Sequence, residues 1–162
     1  MAELTKLEEK LAEVVGLAMA AQAATERVLK LADDSQVSAA LEQMNSEAAE
    51  TEERGTSIVD TMEGRKTAIL EEARSTKAKA SDMLSTYLDD DADDLDGFEF
   101  LTMAEAGEVG HWSVLSQMAE KAGSAEVLAL AEWALPIQKR HFNDVNEISL
   151  QLAAQDDPNE TA

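Results

Sequence analysis

The chain has 162 residues, 34 acidic and 13 basic, with a formal net charge of −21, no cysteine and two histidines. That length suits one domain burying about 70% of its unfolded surface. The absence of cysteine excludes disulfides, zinc–thiolate sites, iron–sulfur clusters and thiol nucleophiles, and the acidic excess argues against phosphate-driven nucleic-acid binding and polybasic membrane docking.

No apolar run reaches the roughly 18 residues of a membrane span, and the opening MAELTKLEEKL is acidic and amphipathic rather than a signal peptide. A cytoplasmic protein with a halophile-like surface of solvated carboxylates is the expectation. Two prolines and seven glycines among abundant Ala, Glu and Leu point to helices. A first helix follows three–four spacing from Leu4 through Leu11, Val14, Ala18 and Val28, with Thr5 and Glu8 as its capping box. Ser35 is the expected cap of a second helix, striped by Val37, Leu41, Met44, Ala48, Thr51, Gly55 and Ile58. A further helical stretch runs from about Arg65 to Tyr87, and periodicity leaves open whether Gly64 divides it from the second.

Asp89 to Asp96 reads as a solvated loop; with Gly97 at the glycine position the EF-hand pattern fails, because Ala92 and Met103 fall on ligand positions. Asp96 with Glu99 is the expected capping box of a helix from about Gly97 to Ala122, with Leu95 and Phe100 as its hydrophobic staple. Gly123 closes that helix and Ser124 opens the last, to about Ala154, making an antiparallel hairpin. Residues 155–162 are expected to be a disordered acidic tail. The predicted architecture is therefore an all-α antiparallel four-helix bundle over 1–154, with the middle stretch as a candidate fifth helix.

The informative residues are polar side chains on apolar stripes. Turning 100° per residue, Glu105 and Glu108 fall on the face defined by Leu101, Ala104, Trp112 and Leu115, with His111 at its edge. On the last helix Gln138 lies near the centre of the Ala131, Ala134, Phe142 and Val145 face, His141 to one side, and Pro136 is expected to kink the helix nearby. Both histidines thus follow a carboxylate or amide by three residues, the spacing used in carboxylate-bridged di-iron and di-manganese bundles. Glu47 lies at the edge of the second stripe and Glu50 turns further out; Gln22 is the polar residue nearest the first stripe. The competing interpretation is structural: a bundle edge tolerates Glu through its aliphatic stem, and a histidine on a core face is commonly just hydrogen-bonded. The methionines read as core packing, so no haem is expected, and Trp133 faces away from the inner stripe, partly exposed or in a subunit interface.

Glu105-Ala-Gly-Glu108, the run Trp112-Ser-Val-Leu-Ser-Gln-Met-Ala-Glu-Lys-Ala-Gly123 and Glu47-Ala-Ala-Glu50-Thr51 resemble segments of the ferritin-like superfamily, closest to the YciF-type small bacterial stress proteins. The resemblance extends thinly over about residues 1 to 154. It implies a ferritin-like bundle, a homodimer rather than an iron-storage shell, and an iron or manganese site drawn from Glu47, Glu50, Glu105, Glu108, His111, Gln138 and His141. A full dinuclear centre in that superfamily takes a glutamate from each of two helices and Glu-x-x-His from the other two. Here the Ala21–Gln22 region stands in place of the first glutamate, Gln138 replaces the last helix's glutamate, and Glu50-Thr-Glu-Glu53 lacks the histidine. The site implied is altered, mononuclear or lost. Three functions compete: a metal protein that oxidises metal or handles peroxide, a non-enzymatic dimeric stress or scaffold protein with a metal-free polar core, and an acidic module for basic partners.

Overall fold

The structure is a computed structural model that describes residues 3–161. Among these, five helices account for the ordered secondary structure: α1 (Lys6–Leu29), α2 (Ser35–Asp60), α3 (Lys66–Tyr87), α4 (Asp94–Ala122) and α5 (Ala125–Ala153). None is long and apolar enough to cross a membrane.

Helix boundaries follow local chemistry. Thr5 and Glu8 form the expected capping box of α1. Asp34, not Ser35, caps α2: its carboxylate accepts from the amides of Gln36 and Val37. The middle stretch is two helices, because the chain turns through 61–65 with Gly64 at φ 72°, a left-handed conformation that costs other residues about 1–2 kcal/mol. Helix α4 begins three residues before the expected Gly97. Asp93 and Asp96 form its capping box, and Asp94 and Asp96 place charge at the positive end of the helix dipole, so part of the acidic run is helical. Gly123 ends α4 at φ 69°. Ser124 occupies the cap of α5 without a side-chain bond, and α5 continues through Pro136.

Helix α1 packs on α2 and α4, and α5 closes the square by packing on α4 and α2. The contacts fix the directions. Gly97 near the start of α4 lies under Val28 near the end of α1, and Gly55 of α2 faces both Val15 of α1 and Leu130 of α5. Helices α1 and α2 form one antiparallel hairpin, α4 and α5 the other. Helix α3 is the crossover between them; it lies alongside α1, running parallel to it, with Arg65 on Glu8 and Gly16 against Ala73 and Thr76. A Cβ on Gly16 would stand 2.3 Å from the Ala73 carbonyl oxygen, so this approach requires glycine.

The apolar core has two parts. One is built around Leu11, Val14, Ile69, Trp112, Leu115 and Val127, the other around Val28, Leu41, Met44, Phe98, Leu101 and Val145. Along α4 the residues between Leu101 and Trp112, and along α5 those between Ala134 and Val145, include every buried ionisable group of the described chain. A polar belt crosses the bundle between two apolar halves.

Candidate functional site

Glu105 and Glu108 of α4 and Gln138 and His141 of α5 are all at least 96% buried. Helical spacing puts each pair on one face, a turn apart, and the α4–α5 hairpin brings the faces together. The Gln138 amide head stands 2.9 Å from Glu105 Oε2 and 3.2 Å from Glu108 Oε2. Turned with its nitrogen inward, it donates to both carboxylates; turned with its oxygen inward, it completes a group of three oxygens.

His141 continues the belt toward α2. Its Nε2 lies 2.5 Å from Glu47 Oε2 and its Nδ1 3.7 Å from Glu105 Oε2. Glu47 also accepts from Arg140 at 2.6 Å and Gln43 at 3.0 Å. The contacts thus run from Arg140 and Glu47 at the surface, through His141 and Glu105, to Gln138 and Glu108 inside.

Burial disfavours the His141 cation, but the neighbouring Glu105 and Glu47 outweigh it and raise its pKa above 6.5. For Glu47 the cost of partial burial is likewise overcome, mainly by the His141 hydrogen bond, and its pKa falls below 4.5. Glu108 is the opposite case. Burial first, and repulsion from Glu105 second, push its pKa well above 4.5. No lysine or arginine is among the buried residues described. Glu105 faces His141, so it is Glu108, pushed up by burial and by Glu105, that calls for a proton or a cation.

A groove of about 200 Å³ between α1, α3 and α4 opens onto this pair. Its walls are mostly apolar, including Leu17, Ala21, Leu84, Phe100 and Met103, and Glu105 and Glu108, with Ser81 and His111, contribute its polar lining.

Of the seven residues singled out in the sequence, five meet in the belt: Glu47, Glu105, Glu108, Gln138 and His141. The other two lie elsewhere. Glu50 is exposed and pairs with Arg54 one turn on, at 2.8 Å. His111 borders the groove, but its Nδ1 meets Glu13 of α1 at 3.1 Å, where Lys10 also binds. Gln22 turns to α2 and donates to Glu52 at 2.5 Å. Trp133 is half-buried, with the Arg54 guanidinium 4.2 Å from its ring centre. Sequence reading missed Gln43, Arg140 and Glu13; all are surface-side partners, and only the adjacency of Arg140 to His141 pointed to one of them.

Among the described residues no three His, Asp or Glu side chains converge as a metal-binding group. The two nitrogens of His141 face different carboxylates, Nε2 that of Glu47 and Nδ1 that of Glu105. The oxygens of Glu105, Glu108 and Gln138 are a different donor set. A hard dication with metal–oxygen bonds of about 2.1 Å in octahedral geometry holds adjacent oxygens about 3.0 Å apart. The spacings of the amide head from both carboxylates are close to that edge and equally to those of two hydrogen bonds. No family model matches the chain, and no curated protein is significantly similar to it.

Proposed function

We propose that this protein is a cytoplasmic, ferritin-like stress protein whose belt takes up one hard divalent cation, manganese(II) or iron(II), between Glu105, Glu108 and Gln138. The observation that supports the reading is the pair of buried carboxylates, each with an oxygen within 3.2 Å of one amide head, with no buried lysine or arginine nearby. Two carboxylates neutralise one dication, and the neutral amide cannot supply the charge for a second. Hairpin, crossover and hairpin is also the connectivity of ferritin-like bundles, which carry one long crossover. A redox-active cation here would supply peroxide- or oxygen-handling chemistry. The chain's own residues would hold it, with His141 and Glu47 fixing Glu105 from behind and the apolar groove limiting water.

A second reading rests on the other amide orientation. With the Gln138 nitrogen inward and a proton on Glu108, the pair is neutralised and hydrogen-bonded without metal, as in a non-enzymatic scaffold. Metal analysis after anaerobic Fe(II) or Mn(II) loading separates them. The cation reading expects one equivalent per chain, lost in Glu108→Ala and retained in Glu50→Ala. Stoichiometry near zero in the loaded wild type would establish the metal-free reading; two equivalents would refute the mononuclear site. Peroxide-dependent oxidation of bound Fe(II) then tests the chemistry.

A further inference from the structure

The outward side of α4 has no part in the belt. Although 29% of the chain's residues are charged, no exposed residue from Thr102 to Gln117 carries a charge. Gly107 and Gly110 sit in mid-helix, where glycine weakens a helix relative to alanine. The protein's own fold does not need them there: neither has a positive φ, and a Cβ on either would have nothing within 4 Å. Their cost is explained if something outside the chain approaches this backbone closely.

The pattern of the stripe identifies what approaches. At 100° per residue Asp96, Met103, Gly107, Gly110, Val114 and Lys121 fall within a sector about 60° wide. All six are exposed, Met103 by 38% and Val114 by 42%. The order is self-complementary. If two α4 helices run antiparallel about a two-fold axis between Glu108 and Val109, Met103 meets the partner's Val114, Gly107 meets the partner's Gly110, and Asp96 meets the partner's Lys121. Apolar then faces apolar, glycine faces glycine, and opposite charges pair at both ends, as an isologous interface demands. Beside the stripe α3 exposes Met83 and Tyr87 by 50% and 59%, and Met83, Met103 and Gly107 border the groove. Helix α3 carries four basic and three acidic residues, close to neutral on a chain of −21. Two such acidic chains repel over most of their surfaces and least here.

We propose that α4 is a dimerisation seam, its occupant a second copy of this chain, packed antiparallel with the glycines at the crossing and the mouth of the groove enclosed.

The cysteine-free chain allows a test of register. Met103 and Val114 are about 16 Å apart along one helix, beyond disulfide reach, but adjacent across the seam. The Met103→Cys/Val114→Cys double variant should therefore form a covalent dimer on mild oxidation, while each single variant stays uncrosslinked. Gly110→Glu, whose side chain projects into open solvent in the monomer, should keep its helical circular dichroism and weaken dimerisation at least about tenfold by light scattering. A wild-type monomer up to about millimolar concentration would overturn the proposal. Crosslinking of the single variants as fully as the double would overturn the register. A monomer whose groove takes up a small apolar dye equally with and without Gly110→Glu would assign the face to another occupant.

Discussion

Glu108→Gln should move stability and cation binding in opposite directions. In the metal-free protein Glu108 is 4% exposed, beside a second carboxylate, with one shared amide as its partner. Glutamine keeps the shape and removes the charge, resembling protonated Glu108. Relieving a buried, incompletely paired ionisable group is worth roughly 1–3 kcal/mol. At this chain length that corresponds to about 2–4 °C of melting temperature per kcal/mol. The gain should grow with pH. The unfolded glutamate ionises near 4.5, whereas burial and Glu105 keep the folded one protonated to higher pH. Above pH 4.5 the folded state thus holds a proton that the unfolded state has released, and wild-type stability falls as pH rises through the folded pKa.

The cation effect has the reverse sign. A dication at 100 times its dissociation constant stabilises the wild type by about 2.7 kcal/mol. Loss of a ligand carboxylate should weaken binding at least about a hundredfold, the upper range for outer-shell partners alone. Thermal unfolding followed by circular dichroism, in EDTA and in MnCl2 at pH 5 and pH 8, reads all four quantities. The variant should melt above wild type in EDTA, by more at pH 8, and gain little from Mn(II). If Glu108→Gln melts below wild type in EDTA at pH 8, the carboxylate is not an uncompensated burden and the electrostatic argument fails.

Gly16→Ala should destabilise by about 1–3 kcal/mol, because a Cβ would stand 2.3 Å from the Ala73 carbonyl and backbone cannot yield as a flexible side chain does; denaturant midpoints that match wild type would refute the close α1–α3 approach. Arg65→Met should weaken the fold at neutral pH but not near pH 2. The Arg65 hydrogen bond is the main cause holding the Glu8 pKa at about 2 against 4.5 unfolded, so its contribution is present above pH 4.5 and fades as pH falls toward 2. Acid titrations of the two proteins should converge there, and a constant gap would place the effect elsewhere.

The fold was legible because three–four spacing, caps and Gly123 act locally, each within a turn or two of chain. The burial of Glu105 and Glu108 was legible by the same arithmetic, since helix phase alone put them between Leu101 and Trp112. Long-range pairing was not. Glu47 lies at the edge of the second stripe and Glu50 turns further out, but which of them reaches the belt is set by neighbours: α5 presents Arg140 and His141 at the level of Glu47, while Arg54 captures Glu50. His111 has the sequence spacing of a ligand but meets Glu13 from α1. Periodicity states which way a side chain leaves its own helix; the neighbour that claims it depends on vertical register, which no local pattern encodes. The α4 boundary moved for a local reason, since aspartates that repel in a loop are favoured in the first turn of a helix.

The belt and the seam lie on opposite sides of one helix, and the groove joins them. Met103 and Gly107 belong to the seam and border the groove, whose polar lining includes Glu105 and Glu108. A second copy covering its mouth removes water from above the carboxylates and makes their charge costlier. Anything that neutralises them is then held more tightly in the dimer than in the monomer. By reciprocity the cation must tighten the dimer by the same factor, and couplings of this kind typically amount to about 5–150-fold. The dimer dissociation constant, measured by sedimentation with Mn(II) and with EDTA, should therefore fall at least about fivefold with metal. Glu108→Gln should abolish the difference without abolishing the dimer. An unchanged constant in protein that demonstrably binds Mn(II) would mean that the ion does not sit at the groove floor or that the seam does not close it, and Gly110→Glu distinguishes these. If that variant lowers Mn(II) affinity along with dimerisation, the two are coupled through α4; if it dissociates the dimer and leaves Mn(II) affinity untouched, the coupling through the groove is refuted.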